Sequence, residues 1–568
     1  MANIIGTNGN DTLVGSYSAD TINGKAGNDT ITANQDDDTL TGGGGKDKFI
    51  YNYSFDFGLS SSDGTDIITD FGGIGKGANP TAAIIAEVDT LKFNGDGLTA
   101  RNLLLTQNGS NLEVTFEGAF NTKVILKNFK LEDLENLAAS GTRPAIGNIL
   151  FNGETSITDS FNVLDANSTN TSIGIKNTVT FFNDLNNNIT GLDNSHDVIN
   201  GQGGNDKIDG LSGNDILRGG AGDDTLIGGV GDDTLVGNAG NNLLDGGDGN
   251  DSLSASGDYT YDRSGISFGN PISGNNTLNG GAGNDYLDAI YSTGSNTLNG
   301  GAGDDYLDAI YSTGNNLLSG GNGNDQLSVS GLLDGGFGFF RRIYGTGNNT
   351  LNGDAGNDSL DASYTAGNNT LNGGIGDDYL NVENSSGNNL LFGGDGNDSF
   401  FVGNNSNDYN SGSISGNDTI DGGKDDDLLS VDYSFATGGI ATTYNATTNI
   451  GLITAGTNRV SYKNIERLDI SGTDYNDNIV GSNGNDTIYG GSGGNDTLVG
   501  GAGNDILTAS DSGNNILYGG FGNDILTGEF GNDTLYGGNG IDTFAFFRSD
   551  EGLDRIYDFN ATSEVIQV

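Results

Sequence analysis

The sequence predicts an all-β fold, a solenoid of short strands stacked turn on turn in several blocks. Two observations predict it. Glycine supplies 100 of 568 residues and proline only 3, so nearly 18% of the chain is glycine, against about 7% in an average protein. A nine-residue unit also recurs in an unbroken frame, and a unit that short cannot bury its own apolar face, so copies must stack.

The frame is clearest from Gly201, where the chain reads GQGGNDKID, GLSGNDILR, GGAGDDTLI, GGVGDDTLV, GNAGNNLLD and GGDGNDSLS. A degenerate unit, LDNSHDVIN, precedes them from Leu192. The consensus is G-G-x-G-N/D-D-x-L/I-x. Its glycines permit positive φ and a close approach of backbone to an ion or to the next turn. Its last three residues make a short strand with one inward apolar side chain. The Asp supplies a carboxylate, and a tight glycine turn aims carbonyl oxygens into the same space. Hard cations such as Ca²⁺ take about 6–8 oxygen ligands of those two kinds.

Nineteen G-N/D-D triplets occur along the chain. The unit resembles the RTX (haemolysin-type) calcium-binding nonapeptide repeat, and the resemblance covers most of the chain in blocks. It implies a parallel β-roll in which two repeats make one turn and Ca²⁺ ions sit between the loops of successive turns. It makes the repeat acids the metal candidates. Near the N-terminus these are Asp11, Asp20, Asp29, Asp38 and Asp47. In the middle they are Asp197, Asp206, Asp215, Asp224, Asp233, Asp251, Asp285, Asp305, Asp325, Asp358, Asp378, Asp398 and Asp418. Towards the C-terminus they are Asp477, Asp486, Asp496, Asp505, Asp524, Asp533 and Asp542.

If successive units alternate edges, the acids sort into two rows. From Leu192 one edge carries Asp197, Asp215, Asp233 and Asp251, and the other Asp206, Asp224 and then Asn242. After Gly274 the repeat lengthens to 20 residues, as in NTLNGGAGNDYLDAIYSTGS. One half keeps its Asp. The other ends in G-N-N or G-S-N, with Asn276, Asn296, Asn316, Asn349, Asn369 and Asn389. A neutral amide is a poorer Ca²⁺ ligand, and stacked Asn side chains can form a hydrogen-bonded ladder or serve as turn formers. Two ion rows are therefore expected before about residue 240 and one from there to about 400. At GGFGFFRRI the pattern breaks. Phe337, Phe339, Phe340, Arg341, Arg342 and Tyr344 read either as a ligand patch or as a local core plug.

The expected organisation is an N-terminal roll with a β cap over 1–140, a connector or small β piece over 141–191, and a central roll over 192–403. A β insertion over 404–470 and a C-terminal roll with a cap over 471–568 follow. The alternating stretches LLLTQ, LEVTF and KVILKNF read as antiparallel cap strands, and LEDLENL as a short helical turn at most. The segments ITDF and IYDF lie in aromatic stretches resembling the close of RTX blocks.

Composition excludes several classes. With no Cys and one His, neither a disulfide scaffold nor a Cys- or His-built metal site can form. The formal charge of −54 argues against nucleic-acid binding. No stretch approaches the roughly 18 apolar residues of a membrane span. No H-E-x-x-H, P-loop or serine triad is present, and the lone His196 sits beside a repeat acid, so an enzyme is not expected. One divalent cation per triplet would bring the charge from −54 to about −16, a value that suits a soluble domain.

The resemblance implies a secreted structural, cell-surface or adhesive protein that binds several Ca²⁺ and folds on binding them outside the cell. Its partners would be calcium and a type I secretion machinery, with cell-surface polysaccharide or self-association as further candidates. Met1–Thr7 lacks the features of a cleaved signal, and DFNATSEVIQV resembles an uncleaved export tail. The alternative is a polysaccharide- or surface-binding module of an extracellular enzyme system, with Tyr286, Tyr291, Tyr306 and Tyr311 as stripes. A hydrolase or epimerase with a carboxylate-only site is a third class.

Overall fold

A computed structural model describes residues 2–53, 64–76, 79–118, 122–256, 259–262, 265–268, 271–334, 341–343, 345–403, 416–509, 512–546 and 552–568. The chain divides into two compact units, Met1–Gly229 and Val230–Val568.

In the first unit each nonapeptide forms a three-residue strand, and alternate strands enter different sheets. Asn3–Ile5 pairs in parallel with Thr21–Asn23, which pairs with Thr39–Thr41. Thr12–Val14 pairs with Thr30–Thr32, which pairs with Lys48–Asn52. Ile4 stands over Ile22, so two nonapeptides close one turn of eighteen residues. The first sheet continues through Gly64–Ile68 into the cap strands Thr122–Leu126, Asn111–Phe116 and Leu103–Asn108, the last three antiparallel to one another. Leu131–Asp133 is a 3-10 turn, and the cap also holds a five-residue helix, Ala82–Ala86, that the β patterning did not foreshadow. Its core is aromatic: Phe93 meets Phe116 edge-on at 4.7 Å, and Phe151 meets Phe161 at 6.1 Å. Phe161–Val163 pairs in parallel with Val179–Phe181, and that with Val198–Gly203, so parallel stacking is under way within 141–191.

In the second unit the longer repeat keeps the same two-sheet plan. Thr277–Ala282, Thr297–Ala302 and Leu317–Asn322 stack in one sheet. Tyr286–Asp288, Tyr306–Asp308 and Gln326–Ser328 stack in the other. Each strand buries its central leucine: Leu287, Leu298, Leu307 and Leu318 have no exposed surface. The extra residues form an arm that turns at Tyr291 and Tyr311, with φ of 54° and 57°. The β insertion is built from Ile440–Asn445, Ile450–Ala455 and Asn458–Lys463, antiparallel in sequence. Its last strand pairs in parallel with Asn417–Lys424, so it is spliced into the stack. Parallel pairing resumes with Asn478–Val480 on Thr497–Ala502. Phe337, Phe339, Phe340 and Tyr344, and the side chains of Arg341 and Arg342, lie outside the described residues. Among the described residues no helix is long and apolar enough to cross a membrane.

Because each turn contributes one leucine per sheet, truncating one leaves a cavity that its neighbours cannot close. Leu307→Ala is expected to cost about 2–5 kcal/mol in denaturant unfolding at saturating calcium. Thr297→Ala, on the outer face of a neighbouring strand, is expected to cost less than half as much; equal losses would mean that the leucine column does not carry the stack.

Candidate metal centre

The turn from Gly300 to Leu307 shows how the sequence builds the site. Leu307 anchors the strand in the core, which places Asp305, two residues earlier, in the loop at the roll edge. Asp305 is 2% exposed. Its backbone N–H donates to Asp325 Oδ1 at 2.8 Å, and its own Oδ1 accepts the Asp285 N–H at 2.8 Å. Its Oδ2 is buried without a hydrogen-bond partner. That oxygen lies against Gly300, where a Cβ would sit 2.2 Å from it. At Gly303, φ is +135° and a Cβ would lie 1.9 Å from the Gly283 carbonyl oxygen. The glycines therefore leave open a small oxygen-lined space that any side chain would fill.

The N–H to Oδ1 row repeats, while at Asp11, Asp20, Asp89, Asp197, Asp477 and Asp486 the Oδ2 accepts a backbone N–H instead of being left without a donor. In the second unit the Asp N–H to Oδ1 bonds run Asp233, Asp251, Asp285, Asp305, Asp325, Asp358, Asp378, Asp398, Asp427. Beyond the insertion they run Asp486, Asp505, Asp524, Asp542. The other edge there runs from Asp477 through Asp496 and Asn515 to Asp533. In the first unit the rows are Asp11, Asp29, Asp47, Asp89 and Asp20, Asp38, Asp66. In the same unit the Asp197 N–H donates to Asp215 Oδ1 and the Asp206 N–H to Asp224 Oδ1.

The asparagine edge has the same skeleton and different chemistry. Asn296 N–H donates to Asn316 Oδ1 at 3.0 Å, and Asn296 Nδ2 donates to the same oxygen at 3.1 Å. Nδ2 also donates to the Gly294 carbonyl oxygen at 3.3 Å and to Ser292 Oγ at 3.1 Å. Where the Asp edge leaves an oxygen without a donor, the Asn edge places an amide that donates. The ladder repeats through Asn276, Asn316, Asn349, Asn369 and Asn389. Asp418 ends this ladder, its Oδ1 accepting both Asn389 donors, while the acidic row passes to Asp427.

Sequence reasoning missed Asp66, Asp89 and Asp427. Asp427 was hidden because GGKDDDLLS puts Asp425, at φ +79°, where the consensus has glycine. Asp66 lies in GTDII, which keeps Gly64 at φ +82° but has Thr65 in place of Asn or Asp, and Asp89 lies in VDTL, which keeps the D-x-L core without the glycine. Asp70 and Asp558, in ITDF and IYDF, cap the last glycine turns. Each carboxylate accepts two amides, those of Gly42 and Gly43 or of Gly537 and Gly538, at 2.8–3.0 Å. Of the four tyrosines expected as a surface stripe, Tyr311 is 2% exposed and so belongs to the interior. Tyr286 and Tyr306 are surface residues, stacked face to face at 5.3 Å.

Burial pushes the row carboxyls up. Asp305, Asp378 and Asp505 rise to about 7 and Asp251, Asp325, Asp398 and Asp524 to about 6. Loss of hydration is the largest cause in each. The accepted amide opposes it, and the neighbouring Asp charges at Asp285 and Asp325 add to it at Asp305. Among the described residues no cluster of three or more Asp, Glu or His side chains could hold a metal. A cation here must draw on fewer than three carboxylates, with backbone carbonyl oxygens making up the rest. That oxygen-only set, with an undonated anionic oxygen beside a glycine-lined space, fits Ca²⁺.

The RTX calcium-binding nonapeptide repeat family matches residues 3–49, 193–259, 273–289, 292–309, 312–331, 344–363, 365–384, 385–413, 415–432 and 471–544, more than half of the chain. Among solved structures, the extracellular lipase LipA from Serratia marcescens is 17% identical, over 39% of this chain and 45% of its own, at a TM-score of 0.17. The chain thus spans less than half of that lipase, and the likeness carries no argument. No curated protein matches the chain.

The raised carboxyls set a direction for pH. Each binds its proton more tightly folded than unfolded. Without a cation its contribution to stability is therefore present below about pH 4 and lost as pH rises through 6 to 7. In chelator, the β signal by circular dichroism is expected to grow as pH falls from 8 to 5. With millimolar calcium it should be retained at pH 7. A metal-free chain at least as ordered at pH 8 as at pH 5 would contradict this.

Proposed function

The chain belongs to the RTX calcium-binding nonapeptide-repeat family and binds calcium through those repeats, and from that premise we propose that it is a secreted structural or adhesive protein of the cell surface or matrix. It stays unfolded where calcium is scarce and folds on meeting calcium outside. The observation that carries the reading is the line of buried, undonated carboxylate oxygens at Asp251, Asp285, Asp305, Asp325, Asp358, Asp378 and Asp398. A buried, unpaired charge is costly, so the stack is favourable only when something compensates each oxygen. The residues that would hold the ion are the repeat Asp and the carbonyl oxygens of the adjoining glycine turns, and bound Ca²⁺ would supply positive charge between successive turns. Folding is then coupled to binding, as at other sites that exist only in the folded state. Such a chain can leave the cell unfolded by a type I route and gain its structure afterwards. On this reading it is not an enzyme: its acids serve the stack.

A polysaccharide-binding role is the second reading. Tyr286 and Tyr306, 40% and 37% exposed, favour it. Their faces are turned to one another, so a sugar would meet ring edges. On that reading the double variant Tyr286→Ala, Tyr306→Ala loses binding to an immobilised acidic polysaccharide at saturating calcium, while unchanged retention excludes this pair as the contact.

Circular dichroism during a calcium titration tests the leading reading. A cooperative coil-to-β transition is expected by about 10⁻⁴–10⁻³ M calcium, the range of extracellular calcium modules, and none with magnesium. A fully folded spectrum in excess chelator at neutral pH would mean that the stack holds without metal.

A further inference from the structure

We propose a separate calcium site off the edge rows, in a small cavity where the asparagine ladder ends, with Asp418 as its charged ligand and Asn458 as its neutral one. The cavity has a volume of about 10 Å³ and is bordered by Ser385, Gly403, Gly416, Asp418, Tyr433 and Asn458. A space of that size holds about one water-sized particle.

Three observations converge on it. Asp418 is 7% exposed. Its Oδ1 is engaged by both Asn389 donors. Of the cations on the neighbouring strands, Lys424 pairs with Asp395 at 2.5 Å, Lys463 with Asp421 at 2.6 Å and Arg467 with Asp426 at 3.1 Å, while Arg459 is exposed on its strand and donates to Ser461 Oγ at 3.4 Å. The Asp418 charge is thus buried with no ion pair among the described residues. Asn458 is 4% exposed, and its amide oxygen is buried without a hydrogen-bond partner. Ser385 and Tyr433, which both carry hydroxyls, also border the cavity. A water could satisfy the Asn458 oxygen and would leave the charge uncompensated. A cation does both, and the donors are the hard oxygens that calcium takes.

This site is not a continuation of the acidic row. The row bypasses Asp418 through the Asp398 N–H to Asp427 bond. Asn458 belongs to the insertion strand and to no nonapeptide. The inference rests on the calcium-binding reading, and the test separates the two. Native mass spectrometry of the full chain at saturating calcium counts bound ions as integers. Asp418→Asn, which retains the acceptor that closes the ladder, and Asn458→Ala, which touches no row, are each expected to hold one calcium fewer than the parent. Equal counts in all three proteins would show that the cavity holds water and overturn the proposal. Loss with Asp418→Asn but not with Asn458→Ala would place the ion on the edge and also overturn it. No calcium on any of the three would sink the calcium reading itself. Anomalous scattering from calcium-grown crystals gives the independent check: a peak between Asp418 and Asn458 in the parent, absent from Asp418→Asn, whose row peaks persist.

Discussion

Along the regular acidic rows one carboxylate oxygen belongs to the neighbouring turn. Asp285 N–H donates to Asp305 Oδ1, Asp305 to Asp325, and Asp325 to Asp358, each at 2.8 Å. The side chain of one turn thereby completes the backbone of another. Three-residue strands have little pairing energy of their own, and an isolated pair of strands is marginal in water. Stacking must therefore supply both the apolar burial and the polar closure at the edge. In the regular runs, as at Asp285, Asp305 and Asp325, the cost of this arrangement is the second carboxylate oxygen, which the fold buries with no donor. On the proposed reading, the need for calcium follows from that leftover atom.

The asparagine edge shows the point by substitution. Asn296 and Asp305 occupy equivalent places on opposite edges of adjoining strands, and both accept a neighbouring N–H through Oδ1. Replacing Oδ2 by Nδ2 converts a bare acceptor into a donor, which finds Asn316 Oδ1, Gly294 O and Ser292 Oγ. Nothing is left for a cation to compensate. Over 276–389 the roll therefore has one edge that closes by itself and one that needs a charge. Such a molecule can keep partial order along one side while the other responds to the ion.

Much of this was legible in the sequence because the repeat is a geometric statement. A glycine turn, an acid and one inward leucine at fixed spacing specify strand, edge and register together. The switch from Asp206 and Asp224 to Asn242 and Asn276 already separated the two edges. What could not be read was where geometry persists after the motif has gone. Asp66 and Asp89 hold row positions without the full motif, Asp66 keeping only Gly64 of the turn, because a parallel neighbour can impose the register on them. Asp427 does so with Asp425 taking a glycine-like φ. Tyr311 looked like a surface residue because its spacing matches Tyr291, yet spacing fixes periodicity along the stack and says nothing of which side of an arm is covered.

The insertion gives the last step. Glu466 replaces the row acid there, accepting the Asp427 N–H through Oε2 at 3.1 Å and Asn449 Nδ2 through Oε1 at 2.8 Å. Both of its oxygens have donors. At the block ends Asp70 and Asp558 reach the same state by accepting paired glycine amides. The chain thus treats an acid at a turn edge in three ways, the third at Asp70 and Asp558, which are exposed, and at the half-buried Glu466. It leaves an oxygen for a cation, it replaces the acid by an amide, or it brings donors from its own backbone and side chains. Caps and insertion use the third way, so the places where stacking starts, stops or is interrupted carry no undonated carboxylate at Glu466, Asp70 or Asp558. On the proposed reading, calcium dependence would be concentrated in the regular runs between them, each responding to the ion with its ends already closed.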